Sequence, residues 1–305
     1  MKFLIIGASG FVGRHTFAHA QSLGYEVSGT QSITIPTNLI TFNLLNDRLK
    51  DCLDSSFVNS SEPVFGIICA IIGQIDRCFR EKELSYKVNV TKTIELIEDM
   101  VRVGIKPVYI STSSVYGGRQ GYYSEDFPYE LDEVVCEYGR HKRIVEQFIS
   151  KNLPEIFVPR LDKVIGDDPS EGHLLSEWYQ CIQDTKPIFC IEEQIFSPTL
   201  VDNVAKAVLL GCRFGLKGIY HVANPEFFAR TELARQFLLA IDQEGEVISK
   251  PQKEFNFDDL RPPVTYLDST KFIQTTGMRF TSMKEVFSSF LLKMKNKQTI
   301  YAQSI

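Results

Sequence analysis

Tyr138 and Lys142 stand four residues apart in the run Tyr-Gly-Arg-His-Lys, on a segment whose apolar residues Ile144, Val145, Phe148 and Ile149 predict a helix. Residues four apart share one face of a helix, so the ammonium lies beside the phenol. A neighbouring cation favours the phenolate and lowers a pKa that begins near ~10. The tyrosine then serves as a general acid or base near neutral pH. At ordinary lysine usage a tyrosine has a lysine four residues on about one time in fifteen. Of the twelve tyrosines Tyr138 is the one that does, so spacing alone leaves coincidence as open as catalysis.

Order along the chain decides between them. Gly7-Ala-Ser-Gly10-Phe-Val-Gly13 follows an apolar run, Lys2–Ile6, and opens a predicted helix. In such a turn the first glycine permits the tight bend, the second lets a pyrophosphate approach the backbone, and the third lets helix and strand pack closely. The free N–H groups of the helix start face the anion. Gly7, Ser9, Gly10, Phe11, Val12, Gly13 and Arg14 are thus expected at a dinucleotide. The second strand ends in Gly29-Thr30-Gln31-Ser32, without the carboxylate that would hold the ribose 2′-hydroxyl of NAD. NADP(H) is favoured, with NAD(H) as the alternative. Arg14 either supplies charge nearby or is a solvated first-turn arginine. Further on, the strand reading Lys106–Thr112 ends in Ser111-Thr112, and hydroxyls leaving the carboxyl end of a parallel strand project into the ligand crevice.

The elements that position these groups alternate. Strands are predicted at Lys2–Ile6, Tyr25–Gly29, Leu39–Leu44, Phe65–Ile72 and Lys106–Thr112, with helices at Val12–Leu23 and Val88–Val103. In the latter, Val90, Ile94, Ile97 and Val101 form the expected buried stripe and Gly104 its cap. Such alternation predicts an α/β fold, a Rossmann-like doubly wound parallel sheet. After Pro159 the chain is broken by further prolines, which suggests a dinucleotide-binding domain over 1–160 and a smaller mixed α/β substrate domain over 161–305. The helix 201–212 is expected to pack back on the first domain.

Composition excludes other classes. With 44% apolar and 23% charged residues, the 305-residue chain can bury a full core. A net charge of −5 with mixed signs gives no footprint for nucleic acid. No apolar run reaches the ~20 residues of a membrane span. Seven scattered cysteines without a CxxC pattern form neither a disulfide framework nor a metal site, and fit a reducing cytoplasm. Trp178, at helical spacing from Leu174 and Ile182, is expected in the core.

Thr112 in Ser-Thr-Ser-Ser-Val-Tyr-Gly, Tyr138 with Lys142, and Asn89 in Lys-Val-Asn-Val-Thr-Lys-Thr resemble the extended short-chain dehydrogenase/reductases. Ser197–Val208, Gly218–Asn224 and Arg261–Lys271 are most similar to the dTDP-4-dehydrorhamnose reductase family within its nucleotide-sugar branch. The resemblance implies reduction of a 4-keto group on a nucleotide-diphosphate 4-keto-6-deoxy sugar. Hydride comes from the nicotinamide, a proton from Tyr138, and a hydrogen bond to the carbonyl oxygen from Thr112, while Lys142 holds the nicotinamide ribose. It adds Asn43, Leu44, Ala70 and Asn89 to the cofactor residues. Ser113, Ser114, Arg160, His173 and Arg261 become the substrate residues, with Arg261 on the diphosphate. It also implies a homodimer.

Departures narrow the choice. Dehydratases carry Asp-Glu after the catalytic threonine, where this chain has Ser113-Ser114, so dehydration is disfavoured. Ser114 also stands where epimerase/reductases of the GDP-fucose synthase type carry a cysteine. A nucleotide-sugar 4-epimerase with tightly bound NAD remains the alternative within the fold. From another class, the alternative is a non-catalytic NAD(P)-binding sensor.

Overall fold

The computed structural model describes residues 1–32, 38–53, 57, 60–128 and 131–303, the last six of these by backbone alone. Eight strands form the main sheet: β1 (Lys2–Ile6), β2 (Glu26–Gln31), β3 (Ile40–Thr41), β4 (Val64–Ile68), β5 (Lys106–Tyr109), β6 (Ser111–Thr112), β7 (Phe157–Leu161) and, from far along the chain, β12 (Gly218–Val222). Their order is β3-β2-β1-β4-β5-β7-β12, with β6 also on β7, and all pairs are parallel. The order reverses between β1 and β4, where a doubly wound sheet opens its ligand crevice.

Alternation along each strand splits the core between the two faces. Phe3 and Ile5 of β1 pack with Ile67, Val108 and Phe157 against the helices Phe11–Ser22 and Val201–Arg213. Leu4 and Ile6 face the other way, against the helices Thr93–Arg102 and Glu137–Asn152 through Ile97, Met100, Val145 and Ile149. The helix Val201–Arg213 lies along Phe11–Ser22, and β12 extends the sheet beside β7. Residues on both sides of position 160 therefore build one sheet.

Beyond β7 three short pairs surround a second core. These are β8 (Val164–Ile165) with β11 (Thr199–Leu200), β9 (Ile188–Ile191) with β14 (Val247–Lys250), and antiparallel β10 (Ile195–Phe196) with β13 (Phe228–Ala229). Trp178 is buried in that core with Phe237 and Phe290.

One predicted stripe is corrected. Lys87–Lys92 is a π-helical turn that runs into the α-helix Thr93–Arg102. Within that α-helix Leu96, Ile97 and Met100 are buried, while Val101, in its last turn, is 43% exposed.

Arg160 sits in β7 at 1% exposure and forks onto Glu146 of the helix Glu137–Asn152, Nε to Oε1 at 2.9 Å and Nη2 to Oε2 at 2.7 Å. Its Nη1 donates to the Tyr116 hydroxyl at 2.6 Å, and Ser111 Oγ donates to Glu146 at 2.5 Å. Removing one member of a buried pair leaves an uncompensated charge, at a cost of about 3–5 kcal/mol. We predict a loss of that order in urea unfolding for Arg160→Ala. A loss under about 1 kcal/mol would contradict this structural role.

Candidate active site

The glycine turn is built by what side chains would strike. Gly7 has φ +86°, and a Cβ there would lie 2.8 Å from the Ala70 nitrogen. At Gly13 a Cβ would lie 2.1 Å from the Gly7 carbonyl oxygen, so strand and helix meet there without room for any side chain. At Gly10 it would meet nothing but the Gly7 oxygen within 4 Å, and the backbone faces open space. The turn is pinned to β2 by Gly7 N–H donating to Thr30 Oγ1 at 3.0 Å and Ala8 N–H to the Thr30 carbonyl at 2.8 Å. The helix that follows has neither a capping side chain nor an acidic residue in its first turn, so its positive end is open to an anion.

A cavity of about 340 Å³ begins at this turn. Gly7, Ser9, Gly10, Asn43, Leu44 and Ala70 line it as expected, and Thr30, Ser32, Cys69 and Arg77 are further lining residues. Among the described residues no carboxylate lines it and one guanidinium does, an environment suited to a polyanionic dinucleotide. Asn43 shapes its own loop, its Oδ1 accepting from Leu45 N–H at 3.0 Å. Asn89 is expected at the cofactor but is buried behind the wall. It grips Ile72 twice, accepting from its N–H at 2.9 Å and donating to its carbonyl at 3.0 Å, which holds the lining loop in place.

Thr112 ends β6 at the carboxyl edge of the sheet, with its Oγ1 accepting from Ser114 N–H at 3.2 Å. Tyr138 enters from the first turn of the helix Glu137–Asn152, near enough to Thr112 for that hydroxyl to act on its phenol. That approach depends on Gly139, where a Cβ would fall 2.1 Å from the Ser114 carbonyl oxygen. The sequence signal, a glycine directly after the tyrosine in a helix start, was there to be read. Cys136 caps the same helix, its Sγ accepting from Gly139 N–H at 3.4 Å.

The acid–base expectation for the pair is corrected. Lys142 is 4% exposed, donates to the Ile110 carbonyl at 2.5 Å, and lies 4.5 Å over the Tyr109 ring. Burial pushes its ammonium down to about 7. Burial also raises the Tyr138 phenol well above its ordinary value, helped by the Cys136 and Cys78 thiols and opposed by the nearby Thr112 hydroxyl. The ammonium turns to a carbonyl and not to the phenol. In this dry site desolvation of each charged form outweighs their attraction.

The expected substrate residues separate. Ser114 stays at the crevice, half-buried beside Thr112. Ser113 turns inward and donates to Asp162 at 2.7 Å. Arg160 is spent on Glu146, so it cannot reach substrate. Arg261 forks onto Asp76 at 2.6 and 2.7 Å and stacks 4.0 Å from the Phe257 ring, tying the 257–261 segment to the helix Ile75–Arg80. Its guanidinium holds the Asp76 carboxyl down at about 2. His173 stacks on Phe11 with ring centroids 3.4 Å apart, over the start of the glycine-turn helix. Arg14 pairs with Glu171 at 3.1 Å, away from the end of β2. Short-range sequence cannot show these partners, since Asp76 and Glu171 stand 185 and 157 residues from theirs.

The profile of the family described as RmlD substrate binding domain matches residues 1–296. The spore coat polysaccharide biosynthesis protein SpsK of Bacillus subtilis (strain 168) is 24% identical over 291 residues, 95% of this chain and 96% of its own. A dTDP-4-dehydrorhamnose reductase of Mycobacterium tuberculosis is 26% identical over 238 residues, 77% of this chain and 73% of its own. Among solved structures, the dTDP-4-dehydrorhamnose reductase of Bacillus anthracis str. Ames in complex with NADP superposes with a TM-score of 0.79. Its identity is 21% over 96% of this chain and 100% of that one, a likeness of fold.

Two outcomes follow from the geometry. Gly139→Ala overpacks the helix start against Ser114 and destabilises by about 1–3 kcal/mol; a neutral result in urea unfolding contradicts the close approach. Lys142 is depressed from 10.5 to about 7 on folding, so the unfolded chain binds more protons between those values and this residue makes stability rise with pH there. Its penalty is full below pH 7. Lys142→Met should therefore raise the urea midpoint of the ligand-free protein at pH 6, by an amount that shrinks towards pH 10. A gain that did not vary with pH would contradict the titration.

Proposed function

The chain belongs to the RmlD substrate binding domain family, and on that premise we propose that it reduces the 4-keto group of a nucleotide-diphosphate 4-keto-6-deoxy sugar. It is an NAD(P)-dependent enzyme of the short-chain dehydrogenase/reductase type, of the nucleotide-sugar reductase or epimerase kind. The observation that carries the finer reading is Tyr138 close to Thr112 at the carboxyl edge of the sheet, on the same crevice as the cavity that starts at Gly7 and Gly10.

The cavity fits a bound dinucleotide, which supplies hydride when present. Gly7, Ser9 and Gly10 would hold its phosphates, and Asn43, Leu44 and Ala70 its nucleoside end. Without a carboxylate at Thr30–Ser32 a 2′-phosphate is not repelled, so NADP(H) is favoured and NAD(H) is the second choice. Tyr138 donates its proton to the carbonyl oxygen as charge develops there. Its high pKa keeps it protonated and ready, and Thr112 hydrogen-bonds the same oxygen. Lys142, one turn further on, takes the nicotinamide ribose in this reading, exchanging its bond to the Ile110 carbonyl for it.

Residues beyond 160 supply the sugar-nucleotide side of the crevice in this reading. A homodimer belongs to it as well, through the half-buried Phe148 and exposed Val101 on adjoining helices. The seven free cysteines suit a reducing cytoplasm.

The test is the oxidation of NADPH with a panel of dTDP-, UDP- and GDP-linked 4-keto-6-deoxy sugars. Tyr138→Phe should lower turnover by about 10²–10⁴-fold while NADPH affinity stays within about twofold. Unchanged turnover overturns the role of Tyr138. Purified protein that carries stoichiometric NAD and consumes no NADPH would make the chain an epimerase. Cofactor binding with no turnover on any sugar would make it a sensor.

A further inference from the structure

Arg160 and Arg261 are forked onto carboxylates, yet the crevice holds two cations that are not. Lys163 lies two residues beyond Leu161, the register partner of Thr112, so it leaves the carboxyl end of β7 beside the reacting hydroxyl. Its starting point is fixed. Thr199 N–H donates to the Lys163 carbonyl at 2.8 Å, and the preceding Asp162 accepts from Ser113 Oγ at 2.7 Å and from Ser197 N–H at 2.6 Å. The side chain itself is exposed, and among the described residues no hydrogen bond or ion pair holds its ammonium.

Arg230 follows β13 and opens the helix Arg230–Ala240. Its Nη1 donates to Gln194 Oε1 at 3.1 Å and its guanidinium lies 5.8 Å from the Trp178 ring. Its Nε is buried and makes no hydrogen bond. β10 brings the two together, since it pairs with β13 on one side and is followed at Ser197 by the segment bonded to Asp162.

The charges act on one another. Arg230 bears on the Lys163 ammonium more than any other charge does, ahead of Glu177, Asp162 and Arg261. Although Lys163 keeps access to solvent, the surrounding crevice walls lower its ammonium most, Arg230 and Arg261 lower it further against the opposing Glu177 and Asp162, and it is held at about 8. Glu177 is the carboxylate that faces both cations, and it forms an ion pair with neither among the described residues. Two like charges set side by side in a partly desolvated crevice repel each other until an anion enters between them. A guanidinium and an ammonium together suit a phosphate or carboxylate oxygen.

We infer that Lys163 and Arg230 form an oxyanion-binding pair on the substrate side of the crevice, taking an anionic group of the sugar nucleotide. That group is its diphosphate or a carboxylate on its sugar. The inference rests on the nucleotide-sugar reading above.

The test is calorimetric titration of wild type, Lys163→Met, Arg230→Gln and the conservative Lys163→Arg with UDP, UDP-glucose and UDP-glucuronate. NADPH titration reports whether each variant is folded. Loss of a charge-assisted bond should weaken binding about tenfold or more, and Lys163→Arg should recover most of it. An equal loss for all three ligands assigns the pair to the diphosphate. A loss confined to UDP-glucuronate assigns it to a sugar carboxylate. Should Arg230→Gln fail to fold, the exposed Lys163 carries the test alone. Variants that bind NADPH and hold every ligand within about twofold of wild type overturn the pair. Wild type that binds NADPH but none of the three, and neither dTDP nor GDP, overturns the nucleotide-sugar reading as well.

Discussion

A helix that lies on a sheet normally turns an apolar stripe to it, and the helix Glu137–Asn152 does not. Tyr138, Lys142 and Glu146 follow one another at intervals of four, so three polar groups share one face and press on the ends of β5, β6 and β7. Each has to be answered or the packing fails. The Ile110 carbonyl answers the ammonium and Arg160 the carboxylate, while the phenol lies near Thr112 at the crevice. Gly139 lets the helix come close enough for all three. The depressed lysine, the raised tyrosine and the loss of Arg160 to the substrate all follow from this one arrangement.

A second set of contacts fixes the opposite wall of the crevice. The π-helical turn presents Asn89 to the loop at Ile72, which borders the cavity at the glycine turn. His15, one turn into the glycine-turn helix, lies between Asp202 Oδ1 at 2.6 Å and Glu171 Oε1 at 2.7 Å. It thereby joins that helix to Val201–Arg213 and to the loop that carries His173 over Phe11. The side of the crevice assigned to the cofactor is thus braced by residues from far beyond position 160.

Much of this was legible in the sequence because it is local. Glycines spaced three apart after an apolar run, a hydroxyl at a strand end, and a tyrosine with a lysine one helical turn on are patterns that the backbone period reads directly. What escaped was long-range. Arg160 and Arg261 look alike as candidate phosphate clamps until Glu146 and Asp76 are seen to hold them. Lys163 has no motif, and only its register beside Thr112 marks it. Val101 was misplaced for a different reason, since it falls in the last turn of its helix, where the buried face narrows to Leu96, Ile97 and Met100.

The central claim is hydride transfer to C4 of a nucleotide-linked sugar in the crevice between these walls. Its most direct test is turnover with NADPH deuterated at the transferred position, followed by NMR of the product. One deuterium per turnover is expected, all of it at sugar C4. A product without deuterium at C4, or deuterium at another carbon, would contradict it.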